Sequence, residues 1–390
     1  MIGVFGVVSI AAAVAYKHSP RNWNWKAFAP FALLFGLILI RTVIGNCSAE
    51  DHFYLEKSLS LLLLPLCFTI LPFTYDKKEK RIFQLLFAIS SLMMAMFGMI
   101  LTLFYFNENI GIVEKWESWN SLIHHPDFAY IIRTTFEDKT GFHPTYAALY
   151  LGIAFNVILN EILTEKNSNN QLKQIGAFTI LLLLLIFEIL LASRTPFVAM
   201  LLCATFLIFM NLKNKKYAAF IIIGITIIGW GGSKISPSFS SRINEVSTKN
   251  IMIPKSGHED SFNLRRGIIH CSLNIIKKNW LVGVRPGKVQ KELNNCYSSL
   301  NTNSYENRNY NTHNQYFDYW AGLGILGPIF LLVIIFRTYF ESHKNKLKLG
   351  MAICMLFSVC MITENLLIRQ YGIISFSYFL SLYSFNKKRI

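Results

Sequence analysis

The chain is poor in charge. Only 15% of its 390 residues are Asp, Glu, Lys or Arg, while 53% are hydrophobic. Soluble domains carry about 25% charged residues, so a water-covered globule of this size is excluded. Disorder is excluded too, because it needs low hydrophobicity and high charge. Acids are scarcer than bases, with 22 Asp+Glu against 38 Lys+Arg. No Asp-x-Asp occurs, and the acidic neighbours Glu50-Asp51, Glu137-Asp138 and Glu259-Asp260 all lie outside the apolar blocks. The seven cysteines show no Cys-x-x-Cys and no Cys/His spacing of a zinc site. A Walker-type phosphate loop and a solenoid repeat are also missing. Glu188 is the one acid read as intramembrane, so the carboxylate relay of a proton-coupled pump is missing.

What is there comes in blocks of bilayer length. A spanning helix needs about 20 mostly apolar residues. Such blocks run near 2–16, 27–44, 58–74, 82–106, 144–163, 175–193, 196–212, 217–235, 317–337, 347–363 and 370–386. Eleven blocks, or twelve with an unrecognised first helix, define an all-α integral membrane protein. The net charge of +16 would suggest nucleic acid in a soluble protein. Here the basic residues cap apolar blocks, which points to topology and anionic lipid instead and leaves no nucleic-acid partner. Alternate connections and the C-terminal tail hold nineteen Lys and Arg, including Lys77, Lys78, Lys80 and Arg81. The short connections of the other set hold Lys57, Arg194 and Arg369, with Arg41 at a helix end. The positive-inside rule puts the first set and the C-terminus in the cytoplasm.

Three regions follow: 1–235, with an outer segment at 107–143; a large outer loop, 236–316; and C-terminal spans, 317–390. In the first outer segment Ile112, Trp116, Trp119 and Ile123 have the spacing of an interfacial helix. In the large loop, residues 264–280 form an amphipathic helical pattern, and 294–312 show little hydrophobic pattern. Cys271 and Cys296 share that loop, where an oxidising compartment permits a bridge and free thiols are the alternative.

Residues suited to chemistry gather at the outer helix mouths. Arg194 lies between two apolar blocks, where a cation is costly unless it reaches the interface or a partner. Arg265 and Arg266 open the amphipathic stretch, where a guanidinium fork at a helix start suits phosphate and a solvated charge pair is the alternative. His313 sits where the loop re-enters the membrane; imidazole suits proton transfer near neutrality, and a purely structural histidine is the alternative. His143 precedes Pro144 at the start of the fifth block; a helix-capping role competes with substrate placement there.

Five features together resemble the O-antigen ligase and polymerase superfamily of bacterial envelope glycosyltransferases. They are the many spans with one large late loop; Ser193-Arg194-Thr195 at an outer turn; Arg265 followed by a glycine-rich turn at Gly283; Tyr297; and His313-Asn314-Gln315-Tyr316 followed by Gly322-Leu-Gly-Ile-Leu-Gly327. Arg285 departs from the pattern, which commonly has Gly there. The resemblance implies a GT-C-like fold with a periplasmic loop, in the bacterial inner membrane. It implies metal-independent, inverting transfer without a cofactor. A glycan preassembled on polyprenyl (undecaprenyl) pyrophosphate would pass en bloc to lipid A–core oligosaccharide. On this reading His313 is the catalytic base, and Arg194, Arg265, Arg266 and Arg285 bind the pyrophosphate. His143, Tyr146, Tyr297 and Asn314 would place donor or acceptor. An O-antigen or exopolysaccharide polymerase and a protein O-oligosaccharyltransferase share these motifs. A polysaccharide transporter shares the spans but would cluster polar residues at the midplane.

Overall fold

A computed structural model describes residues 24–44, 48–70, 77–109, 128–164, 171–212, 214, 216, 223, 224, 261–300, 302–306 and 309–385. Among these residues the structure is helical and has no strand. Six helical stretches among the described residues are long and apolar enough to cross a membrane: Trp25–Val43, Ala49–Ile70, Lys80–Tyr105, Pro144–Thr164, Gln174–Leu191 and Arg194–Asn211. The protein is an all-α integral membrane protein. The apolar block at 2–16 lies outside the described residues, the block at 217–235 almost wholly so, and so does the Ile112–Ile123 pattern.

The chain forms two compact units, one of Met1–Lys80 with Lys249–Ile390 and one of Arg81–Thr248. In the first unit, α1 (Trp25–Val43) is followed by α2 (Ala49–Ser58) and α3 (Ser60–Ile70). Helix α4 (Lys77–Asn109) then runs into the second unit, which continues with α5 (Phe128–Thr140), α6 (Pro144–Thr164), α7 (Gln171–Leu191) and α8 (Arg194–Asn211). The first unit resumes with α9 (Ser261–Lys278), a 3-10 turn Pro286–Lys288 and α10 (Val289–Ser298). It ends with α11 (Gln315–Leu323), α12 (Leu326–Lys344), α13 (Lys348–Thr363) and α14 (Gln370–Ser384).

In the second unit α6 is buried nearly all round, from Pro144 to Leu159. It packs on α7 and α8, and Asn156 Nδ2 donates to Gly152 O at 2.8 Å and Met200 O at 3.3 Å. Helices α4 and α7 do the opposite of a soluble helix. Leu86, Ile89, Met93, Phe97, Ile100 and Phe104 form an exposed stripe on α4, and Ile175, Phe178, Leu182 and Ile186 one on α7. Apolar side chains turned outward at helical spacing are what a lipid solvent requires.

In the first unit α1, α3, α12 and α14 pack together. Small residues allow the close approach: Ser375, Ser377, Ser381 and Ser384 on α14 are buried, and Thr338 and Ser384 share a 2.6 Å hydroxyl hydrogen bond. At one end of this unit sits the segment 261–323. It has its own core of Ile268, Ile275, Leu293, Tyr297 and Tyr305, crossed by a Cys271–Cys296 disulfide that joins α9 to α10. The block at 317–337, continuous in hydropathy, is divided here. Gly324 at φ +72° ends α11, and a Cβ there would meet the backbone of Leu281 and Val282. Helix α11 therefore belongs to the loop segment, and the apolar helix begins at Leu326.

Candidate active site

The loop end of the first unit is assembled by backbone hydrogen bonds rather than apolar contact alone. The turn after α9 lies against the end of α11: Val284 N–H donates to Ala321 O at 2.7 Å and Arg285 N–H to Gly322 O at 3.0 Å. Gly283, at φ +74°, leaves no room for a Cβ, which would press on Gly324 N at 2.5 Å and Gly322 C at 2.6 Å. Glycine is needed there for both reasons. Arg285 itself holds φ +84°, a conformation costly for a side-chain-bearing residue. Two further parts of the unit grip this turn. Arg41, at the end of α1, donates from Nη2 to Gly283 O at 2.9 Å. Asp51, fully buried in the first turn of α2, accepts Gly287 N–H on Oδ1 at 3.0 Å and Ser48 N–H on Oδ2 at 3.2 Å.

A second set of bonds holds the strap that carries His313. Gln315 Oε1 accepts Leu367 N–H at 2.7 Å, Asn365 Nδ2 donates to Thr312 Oγ1 at 2.8 Å, and Asn314 Nδ2 donates to Ile362 O at 2.9 Å. All three tie 312–315 to the end of α13 and its connection to α14. His313, whose N–H donates to Asn311 Oδ1 at 2.9 Å, takes φ +45° between these anchors. Backbone strain of this kind persists only where surrounding bonds over-determine it.

The consequence is a three-residue constellation. Glu364 turns one carboxylate oxygen to Arg265 Nη2 at 3.4 Å and the other to His313 Nδ1 at 3.7 Å. All three side chains are half-buried. Arg265 comes from the start of α9, His313 from the strap and Glu364 from the end of α13. Arg266, on the next face of α9, is exposed. Glu364 was not singled out from the sequence. Its one signal is the polar run Thr363-Glu364-Asn365 between two apolar helices.

Asp318 was missed as well. It lies one turn into α11, is 5% exposed, and accepts from Tyr54 Oη and Asn365 Nδ2, each at 3.3 Å. Burial pushes its carboxyl up to about 7, only partly offset by the Tyr54 hydrogen bond.

The other sequence candidates sit as follows. Tyr297 is buried in the loop core, stacked on Tyr305 at 4.9 Å, with its hydroxyl donating to Tyr310 O at 3.1 Å. Burial raises its phenol above the usual range. Asn314 caps α11: its Oδ1 accepts Phe317 N–H at 3.0 Å while its Nδ2 holds Ile362 O. Both ends of that amide are used structurally. Arg194, His143 and Tyr146 belong to the second unit. Arg194 opens α8 behind Ser193 and is half-buried. His143 precedes α6, where its Nδ1 accepts Thr145 N–H at 3.2 Å and its ring lies 5.9 Å from that of Tyr146.

No curated protein matches the chain. Residues 179–332 match the family described as O-antigen ligase. That stretch runs from α7 into α12 and includes Arg194, Arg265, Arg266, Arg285, Tyr297, His313 and Asn314. The chain is a multi-pass membrane protein, with six helices able to cross a membrane among the described residues, and over residues 179–332 it is similar to the O-antigen ligase family, which supports a ligase-like function of the glycosyltransferase type.

Proposed function

We propose that the protein moves a preassembled glycan from polyprenyl pyrophosphate, undecaprenyl in kind, to lipid A–core oligosaccharide at the periplasmic face of the bacterial inner membrane. The observation that carries this reading is the Glu364 carboxylate standing between Arg265 and His313. An acceptor hydroxyl oxygen attacks the anomeric carbon, and the bond from that carbon to the pyrophosphate oxygen breaks. The pyrophosphate departs with the bonding electrons, and the hydroxyl proton passes to His313. With Nδ1 facing Glu364, Nε2 is the atom that takes the proton. Glu364 then faces the positive charge that forms on the ring, as a carboxylate does behind a catalytic histidine elsewhere. Arg265 offers its fork to the leaving phosphates, where negative charge grows as the bond breaks. Arg266 and Arg285 supply further cations in this reading. Attack opposite the leaving group inverts the anomeric carbon.

The experiment is a transfer assay with the purified full-length protein, a lipid-linked glycan donor and three acceptors: lipid A–core, a second lipid-linked glycan, and a Ser/Thr peptide. Transfer to lipid A–core with inverted configuration, unchanged by EDTA, is expected. Preference for the second glycan would make the protein a polymerase, and preference for the peptide a protein O-oligosaccharyltransferase. A strict divalent-metal requirement would remove the arginine-only account.

A further inference from the structure

The first unit contains a cavity of about 530 Å³, within the range of about 300–1,000 Å³ usual for small-molecule sites. Its walls come from α2, the Pro286–Lys288 turn, α10, the strap before α11 and the start of α14. Three properties of these walls bear on what it holds.

The first is charge. Lys57 and Arg369 line it close enough to repel one another. Neither makes an ion pair within 4.0 Å to a described residue, although Glu56 attracts Lys57 from the next position. Two carboxyl groups, Glu50 and Asp318, also line the cavity, and Asp318 is engaged by Tyr54 and Asn365. Lys57 is held instead over the Phe53 ring, 3.4 Å from its centroid. Two like charges lining one cavity are stabilised by an anion between them.

The second property is amide chemistry. Gln290 Nε2 donates to Tyr310 O at 3.0 Å and Asn294 Oδ1 at 2.9 Å, and Asn309 Oδ1 accepts from Asn294 Nδ2 at 2.9 Å. Asn311 Oδ1 accepts the His313 N–H. These bonds fix which way the amides point and leave Gln290 Oε1 as acceptor and the Asn309 and Asn311 NH2 groups as donors. Fixed amides of both polarities are suited to neighbouring hydroxyl groups.

The third is position. Asn311 joins the cavity wall directly to the backbone of His313.

We propose that this cavity is a saccharide subsite that selects a sugar bearing an anionic substituent, through Lys57 and Arg369, and so presents the adjoining acceptor hydroxyl to His313. The inference rests on the transferase reading for its acceptor role, but the charge preference is testable without transfer. The probes are glucose 6-phosphate, glucuronate and glucose, with binding to the detergent-purified full-length protein followed by saturation-transfer NMR. Both anionic sugars should bind about tenfold more tightly than glucose. The two arms distinguish phosphate from carboxylate. The double variant Lys57→Gln/Arg369→Gln should bring the preference close to one, while the swap Lys57→Arg/Arg369→Lys should retain it. In transfer assays the Gln double variant should raise KM for a phosphorylated acceptor about tenfold, leave kcat within about twofold, and leave KM for the dephosphorylated acceptor unchanged. Equal binding of all three sugars, or a preference that survives the Gln double variant, overturns the subsite. Displacement of the anionic sugars by phosphatidylglycerol at equimolar concentration would assign the cavity to lipid. If the preference holds but no acceptor is glycosylated, the subsite stands and the transferase reading fails.

Discussion

Helices α4 and α7 expose apolar side chains at helical spacing, and a lipid solvent asks little else of those positions. Segment 261–323 is built differently. Its turns are held by Arg41, Asp51 and Gln315 through single hydrogen bonds to backbone groups, its glycines sit where a Cβ has no room, and a disulfide crosses its core. A lipid-facing position accepts any apolar residue of similar size. A bond to one named backbone group accepts almost none. Substitutions should therefore be sharply uneven in effect, with the loop end of the first unit most sensitive.

The largest effect is expected at the constellation. His313→Ala should lower the transfer rate by about 10²–10⁴, the usual contribution of a positioned base, with little change in thermal stability. A His313→Gln protein that kept most of the rate and the wild-type pH profile would leave the residue a positioning role only. Glu364→Gln keeps the shape and removes the charge beside both Arg265 and His313. A smaller loss than that of His313→Ala is expected from it, read as a fall in kcat.

Asp318 comes next. Its carboxyl is neutral in both folded and unfolded states well below 3.8, and charged in both well above about 7. Between those values unfolding releases the proton, so stability falls as pH rises through the window and then levels off. A shift of this size corresponds to roughly 4 kcal/mol as an upper figure. Asp318→Asn should flatten that slope in thermal melts between pH 4 and 8. A slope equal to wild type would mean that Asp318 is charged in the folded protein.

Loss of the bridge ranks third. The disulfide closes a loop between residues 25 apart, for which the chain-entropy model gives about 3.5 kcal/mol. Cys271→Ala/Cys296→Ala should lower the melting temperature of the protein, and reductant should do the same to wild type only. The smallest effect is expected in the lipid-facing stripe. Leu182→Ile, at a position 58% exposed, should change stability by no more than about 0.5 kcal/mol. A large loss there would mean that α7 is covered by protein rather than lipid.

The spans were legible because their signal is local. Length, hydropathy and flanking charge all lie within one helix, and the bilayer imposes them residue by residue. The places of Arg265 and His313 in the chain, at a helix start and just before an apolar block, were legible for a similar reason, because the patterns that bound them are local. Glycine at Gly283 and Gly324 marked turns, but the chain alone did not say that the two turns pack on one another. The division of 317–337 into α11 and α12 was hidden because hydropathy averages across a single bend.

By itself, then, the sequence determined an all-helical membrane protein with a basic, polar loop end and an arginine and a histidine suited to phosphate and proton transfer. Only the tertiary structure decided which distant groups the carboxylates meet. Glu364 reaches Arg265 across 99 residues, and Asp318 reaches Tyr54 across 264. Those pairings arise from the strap bonds to the α13–α14 connection and from the bend at Gly324. Each depends on distant backbone groups meeting at one end of a folded unit, and no local pattern in the chain encodes that meeting.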